Sequence, residues 1–238
     1  MYKGKKILCV IPARGGSKEL PGKNIKKLLG KPLIAYSIEQ AKNSKYIDRV
    51  IVSTDSHKIA NISKKYHAEL PFIRPRKLAG DNSSTIDVLL HAVDLMEKNK
   101  NCYFGILVLL HATSPLRTVE DIDRCIELLF KKKADNVISV TESHRNPYFN
   151  MIEISNVKKI KLVKRSNFVT RQSAPRTYDI NASIYVWKMD IFKKIKKILL
   201  KNTQIYIMPK ERSIDIDDNL DFRIAEMTLK DRNKNRVK

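Results

Sequence analysis

Apolar runs of strand length alternate with amphipathic stretches over the first ~140 residues. "KILCVI" (6–11) is a near-continuous apolar run. "KPLIAYSIEQAKN" then places Ile34, Ile38 and Ala41 on one helical face, with Pro32 suited to a first helical turn. "DRVIVST" (48–54) reads as a second strand, and "SHKIANISKKY" as a helix with Ser56 as N-cap and Ile59, Ile62 and Tyr66 as its stripe. "ELPFIRP" (69–75) reads as a short strand, and "SSTIDVLLHAVDLMEK" as a helix carrying Ile86, Leu89, Leu90 and Val93 at helical spacing. "CYFGILVLL" (102–110) is a further strand. "TVEDIDRCIELLF" sets Ile122, Cys125, Ile126 and Leu129 on one face behind an acidic first turn, and "DNVISVT" (135–141) closes the series.

Repeated strand–helix alternation with continuous apolar strands predicts an α/β fold, a mostly parallel sheet with helices on both faces. After ~142 the pattern loosens. "YFNMIEISNVKKIKLVKRSN" predicts a hairpin, "TRQSAPRTYD" an exposed loop, "NASIYVW" a strand, "DIFKKIKKILLK" an amphipathic helix, "TQIYIMP" a strand and "NLDFRIAEMTLK" a last helix. No internal repeat or low-complexity linker interrupts the chain. The expectation is one domain over 1–238, with a hairpin insertion at about 145–170 as the candidate dimer element. Sheets of this kind bind ligands outside the carboxyl ends of their strands, which points to loops 12–24, 54–56 and 111–117.

Composition narrows the class. With 42% hydrophobic and 30% charged residues in 238, the chain can bury a substantial core and is not a disordered one. No apolar run nears the ~18 residues of a membrane span. The apolar run near the N-terminus ends after about five residues, short of the ~7 to 15 of a signal-peptide core. Cys9, Cys102 and Cys125 form no paired spacing, and the five histidines no metal-ligand pattern, so a reducing cytoplasm is the expected setting. The net charge of +22 raises nucleic acid as a partner. The basic residues are spread along the chain, however, and Tyr and Phe fall mostly on apolar stripes rather than forming a stacking surface. Solvated helix faces, or a field that attracts acidic small molecules, fit better than nucleic acid.

Two constellations carry chemistry. In "CVIPARGGSKELPGKN" (9–24) a strand runs into a glycine-bearing turn holding Arg14, Lys18 and Lys23. Glycines let backbone N–H groups approach an anion, and the cations neutralise it. This is neither a P-loop nor a dinucleotide fingerprint. On physics alone it is either a phosphate cradle or a basic turn. In "SIDID" (213–217) Asp215 and Asp217 stand two apart, on one side of an extended segment. Paired carboxylates are costly unless a cation lies between them. Alternatively Asp217, Asp218 and Asp221 only favour the dipole of the next helix.

"IPARGGSKELPGKNIKKLLGKPLIAYSIEQA", "VSTD" (52–55), "FIRPRKLAGDNSST" (72–85), "TSPLRT" (113–118) and "SIDID", in that order, closely resemble the acylneuraminate cytidylyltransferases, or CMP-sialic acid synthetases. The resemblance implies a Rossmann-like sheet and transfer of a cytidylyl group from CTP to an acidic nine-carbon sugar, with pyrophosphate released, Mg²⁺ required and a homodimer common. It implies catalytic roles for Arg14, Lys18, Lys23, Asp215 and Asp217, with the metal on Asp215 and Asp217. It further implies nucleotide contacts at Ala13, Arg14, Gly15, Asn24, Arg74 and Thr85. Asp55 ends a strand, where it could orient the opening loop or cap the next helix. The related enzymes for Kdo, an eight-carbon acid, usually carry Ser-Thr-Arg where this chain has Gly16-Ser17-Lys18. A Kdo-type or other sugar nucleotidyltransferase is therefore the alternative within the class. A regulatory domain that binds the nucleotide without turnover would have no need of the aspartate pair.

Two departures concern the sugar. Sialic-acid enzymes of this kind read Leu-Gln-Pro-Thr-Ser-Pro-Leu-Arg, where this chain has "LLHATSPLR", so His111 replaces a Gln expected to touch the sugar. They often read Asn-Gly-Ala-Ile-Tyr, where this chain has "NASIY" (181–185). With "HRNPYFNMIEI" and "TRQSAPRTYD", these phrases resemble a bacterial branch acting on N,N'-diacetyllegionaminic acid. Sugar contacts are expected from His111, Arg171, Gln172, Asn181 and Tyr185, some of them from a partner chain.

Overall fold

The computed structural model describes residues 1–17, 19–100, 102–154 and 159–236. Strand β1 (Ile7–Pro12) leads through a loop and the short β2 (Lys27–Leu28) and β3 (Lys31–Pro32) into α1 (Leu33–Lys42). Then come β4 (Arg49–Ser53), α2 (His57–Lys65), α3 (Thr85–Lys100), β5 (Ile106–Leu110), α4 (Val119–Lys131) and β6 (Asn136–Glu142). The second part holds β7 (Ile152–Ile154), β8 (Ile160–Leu162), β9 (Tyr178–Lys188), α5 (Met189–Ile195), β10 (Thr203–Ile207) and α6 (Asn219–Arg236).

Six strands form one sheet in the order β10-β6-β9-β5-β1-β4. β1 runs parallel to both β4 and β5, and β10 parallel to β6. β9 lies antiparallel between β5 and β6, so the sheet is mostly parallel. Helices cover both faces. Ile34 and Ile38 of α1, Ile59 of α2 and Ile122, Cys125, Ile126 and Leu129 of α4 pack on one side. Leu89, Val93 and Met96 of α3 pack on the other, with Met189 and Phe192 of α5 beside Trp187.

The Ser56 cap follows the sequence reading, and the structure adds one at Thr118. The Ser56 side chain accepts from Ile59 N at the start of α2, and Thr118 and Asp121 form a reciprocal capping box on α4. Two elements differ from the pattern. Residues 69–75 form no strand; the segment runs beside β4 with an isolated bridge at Ile51 and Glu69. Pro71 and Pro75 have no N–H to give a ladder, which accounts for the break. The helix expected over "DIFKKIKKILLK" stops at Ile195, because Lys196 turns left-handed at φ 55° and caps it by donating to Phe192 O.

Two features aim the functional loops. A third apolar cluster joins Leu20, Leu28, Leu33 and Leu116 to Ile216, Phe222, Ala225 and Leu229, so α6 clamps the segment after β1. Each such buried side chain contributes about 1.5–3 kcal/mol. Second, the β6–β9 ladder slips between Ile138↔Tyr185 and Val140↔Ile180, so Asn181–Ile184 stand opposite Ser139. The Ser139 hydroxyl spans this bulge, donating to Asn181 Oδ1 at 2.6 Å and accepting from Ile184 N at 2.8 Å. Bulges of this kind re-aim a strand beside a functional site.

Candidate active site

A cavity of about 310 Å³ opens at the carboxyl ends of β1 and β5. Arg14, Lys23, Asn24, Arg74, Thr85, His111, Asp215 and Asp217, which are far apart in sequence, all line it.

The opening loop is fixed from three sides. Ala13 is buried and donates to Ser53 O at 2.9 Å; it is not part of the cavity wall. Gly15 donates to Asp55 Oδ1 at 3.0 Å, and a Cβ there would meet Ser56 Cβ at 3.0 Å. The glycine thus serves close approach of the loop to the β4–α2 turn, and its N–H is already engaged. Asn24 donates from Nδ2 to Arg14 O at 3.0 Å, closing the loop on itself. Arg14 reaches across the cavity mouth to Asp81 Oδ1 at 2.6 Å. Lys18 lies outside the described residues.

Asp55 thus orients the loop, while Ser56 caps the helix. The same Asp55 oxygen stands 3.7 Å from Nη2 of Arg74, which is only 5% exposed. Arg74 Nε and Nη2 make no hydrogen bond in the protein. Burial lowers the guanidinium pKa, and Asp55 opposes this. A buried cation with unspent donors facing a cavity is equipped to hold an anionic or carbonyl-rich ligand. Thr85 lines the cavity at the first residue of α3, and the Ser84 hydroxyl accepts from Ile86 N at 3.2 Å.

Lys23 Nζ lies 2.9 Å from Asp217 Oδ1, an ion pair between the opening loop and the acidic segment. The acidic run divides by role. Asp218 and Asp221 bond to each other's backbone around the start of α6, and Asp221 also accepts from Asp217 N at 3.0 Å. Asp215 and Asp217 instead face the cavity. Asp215 Oδ1 is buried with no hydrogen-bond partner. Burial raises the Asp215 carboxyl above the ordinary range, a hydrogen bond from Thr113 pulls the other way, and Asp217 raises it further. An orphaned carboxylate oxygen beside a second carboxylate is a fitting half-site for a hard divalent cation. Among the described residues no cluster of three or more ligating side chains exists. Mg²⁺ commonly takes one or two carboxylates and fills its sphere with phosphate and water.

The loop after β5 carries the other wall. Arg117, 1% exposed, holds it from within, donating from Nη2 to His111 O at 2.7 Å and from Nη1 to Ser183 O at 3.1 Å. It also donates to the Ser37 hydroxyl. Gln40 grips the same loop from α1 through Pro115 O and Arg117 O, both at 2.8 Å. Thr113 O accepts from Ile216 N at 2.9 Å, which couples the loop to the acidic segment. His111 lines the cavity, and burial, then Arg117 and Lys23, lower its pKa to about 4. The imidazole is therefore neutral near pH 7.

The remaining sugar-site expectations do not share this wall. Asn181 is 5% exposed, and its Nδ2 donates to the Ser213 hydroxyl at 2.9 Å, bracing the acidic segment. Tyr185 is buried and stacked on Trp187, 5.6 Å between centroids, with the His111 ring 5.9 Å away. Arg171 and Gln172 line a separate cavity of about 420 Å³ with Asn146 and Arg176. The sequence reading missed Asp81, Arg117 and Ala182. Asp81 and Arg117 lie inside quoted motifs, but only the fold shows what they touch.

Comparison with known proteins decides the lineage. Residues 8–229 match the family described as "Cytidylyltransferase". The chain belongs to the cytidylyltransferase family. A flagellin modification protein B of Campylobacter coli is 44% identical over 95% of this chain and 96% of its own length. A CMP-N,N'-diacetyllegionaminic acid synthase of Campylobacter jejuni is 42% identical over 94% of each. A solved CMP:2-keto-3-deoxy-manno-octonic acid synthetase complexed with CTP superposes with a TM-score of 0.71 at 16% identity, covering 95% of this chain and 99% of that one. That last likeness concerns the fold. The cavity of this cytidylyltransferase lies where an α/β sheet favours a ligand, outside the carboxyl strand ends.

Proposed function

We propose that this cytidylyltransferase transfers CMP from CTP to the anomeric hydroxyl of a nine-carbon 2-keto acidic sugar, with N,N'-diacetyllegionaminic acid the preferred acceptor. The observation that carries the reading is the gathering of Arg14, Lys23, Asp215 and Asp217 around one cavity, with an Asp215 oxygen unpartnered.

The residues divide the reaction among them. Arg14 and Lys23, with Lys18 assigned to the same task, hold the triphosphate and stabilise the departing pyrophosphate. Arg74, Asn24 and Thr85 seat the nucleoside end. The sugar oxygen attacks the α-phosphorus in line; the new O–P bond forms as the bond to the β-phosphate oxygen breaks. Asp215 takes the proton from the sugar hydroxyl. Neutral His111 offers a hydrogen bond to the sugar. Asp215 and Asp217 would hold Mg²⁺, which would neutralise charge on the triphosphate.

The reading includes a homodimer. Ile152, Ile154 and Ile160 on the β7–β8 hairpin are 61%, 67% and 67% exposed, and Ile205 and Ile207 of the edge strand β10 are 40% and 52% exposed. A second copy of the chain covers this surface, and Arg171 and Gln172 then serve the neighbouring protomer's sugar. CTP supply places the reaction in the cytoplasm; among the described residues no helix is long and apolar enough to cross a membrane.

The test is pyrophosphate release from CTP with Mg²⁺ across a panel of acidic sugars, Kdo included. Release with N,N'-diacetyllegionaminic acid and not with UTP or ATP is expected. Silence with every nine-carbon acid would sink the proposal. Ile160→Glu with light scattering tests the dimer; an unchanged mass removes that part of the reading.

A further inference from the structure

Ala182 occupies a backbone position that an alanine fills only under strain. Six non-glycine residues among those described have positive φ: Lys3, Leu29, His67, Lys133, Ala182 and Lys196. The other five sit in turns or just past helix ends, where the left-handed conformation is common. Ala182, at φ 47°, alone lies within a strand, in the β9 bulge. A bulge residue of this conformation is ordinarily glycine, since a Cβ crowds the following carbonyl.

The bulge is pinned on both sides, so the strain is built in. Asn181 is held by Ser139 and Ser213, and Ser183 by Arg117. The Ala182 carbonyl itself accepts from the Ser114 hydroxyl at 3.2 Å. Ala182 also lines the cavity, together with His111, Thr113 and Asp215. An alanine retained where glycine would be relaxed, at a residue that lines the cavity, indicates work for the methyl group.

We propose that the Ala182 methyl is a specificity-determining group for the acceptor sugar. It disfavours acids that turn a hydroxyl toward it and favours those with a deoxy carbon or an acetamido methyl at that place. A hydroxyl pressed against the methyl loses water and gains no partner. An apolar group there gains contact instead. The inference rests on the reading that this cavity holds the acceptor, and it names the residue that tells one acceptor from another.

The experiment compares kcat/KM for N,N'-diacetyllegionaminic acid and N-acetylneuraminic acid in wild type, Ala182→Gly and Ala182→Ser. The first sugar carries an acetamido group and a terminal methyl where the second has a hydroxyl and a hydroxymethyl. Wild type favours the diacetylated sugar. Ala182→Gly shrinks that preference about tenfold, the scale of one methyl in a pocket. Ala182→Ser, which offers the hydroxyl a partner, shrinks it at least as far. Ala182→Gly does not lower the melting temperature, because the left-handed position suits it. A ratio that stays within about twofold of wild type in both variants overturns the proposal. Wild type inactive on every nine-carbon acid overturns the functional reading beneath it, and this inference with it. If one variant fails to fold, the other carries the test.

Discussion

Replacing Arg212 with methionine isolates the ion pair beneath the acidic segment. Asp121, in the first turn of α4, has a side chain only 1% exposed. It accepts from Arg212 Nε at 3.0 Å and Nη2 at 2.8 Å, from Tyr206 OH at 3.0 Å, and from Thr118 N and Oγ1 at 2.8 and 3.0 Å. Methionine keeps much of the aliphatic stem and removes the charge. Breaking a buried pair from one side costs about 3–5 kcal/mol. Arg212 is itself 27% exposed, so water already screens part of the attraction. The lower end, about 3 kcal/mol, is the expected loss. For a chain of this size that lowers the melting temperature by roughly 6–12 °C.

The pH dependence gives the second half of the test. Burial alone would raise the Asp121 carboxyl; the bonds from Arg212 and Thr118 reverse this and hold it below its ordinary value. The wild-type contribution is therefore full above the unfolded value of about 3.9 and is lost as pH falls through the folded one. Without Arg212, only the Thr118 bonds oppose burial, and the folded carboxyl titrates higher than in wild type. The deficit of Arg212→Met is then largest near neutrality and narrows on acidification. Urea denaturation at pH 7 and near pH 3 reads both quantities. A deficit under about 1 kcal/mol at pH 7, the scale of a surface pair, or a gap that widens in acid, refutes the reasoning.

Three further outcomes follow from the site. Asp217→Asn lowers pyrophosphate release at least about a hundredfold, because several kcal/mol of charge stabilisation goes with the carboxylate, and it shifts the Mg²⁺ requirement upward; unchanged Mg²⁺ titration would remove Asp217 from the metal. Arg74→Gln raises the KM for CTP about tenfold while disturbing that for the sugar less, as expected for loss of one charged hydrogen-bonding group; equal effects on both would mean that Arg74 is structural. His111, with its pKa lowered to about 4, stays neutral in the fold while unfolded chains titrate near the ordinary value of about 6.5. Its contribution to stability is present above about 6.5 and declines as pH falls toward 4. Imidazole NMR shifts that titrate near 6.5 in the folded protein would contradict this.

The sequence made some parts of this molecule readable and hid others, for definite reasons. Strand β1, the Ser56 cap and the stripe and acidic first turn of α4 are local patterns, and the structure contains them. Gly15 was visible as a glycine. That it serves close contact with Ser56, with its N–H given to Asp55, depends on a neighbour 40 residues away. Arg117 reads as an ordinary charge at the end of "TSPLRT", and its burial against Ser37, His111 and Ser183 is invisible to periodicity. The β9 bulge escapes for the same reason: "NASIYVW" has a good strand pattern, and only pairing with Ser139 reveals the slip. In 69–75 the β-rich letters won over the two prolines in the reading, and the prolines won in the fold.

The place of β9 has a consequence for the order of assembly. β5 and β6 flank it, and neither meets the other; the gap between them is filled by a strand that begins at Tyr178. The first 150 residues therefore lack the strand that links the β4-β1-β5 part of the sheet to β6. Insertion of β9 joins the two and, in the same event, brings Ser183 to Arg117, Ala182 to Ser114 and Asn181 to Ser213. The cavity wall is thus incomplete until β9 is in place. Non-local pairings of this kind are slow to form and leave edges open to other chains meanwhile.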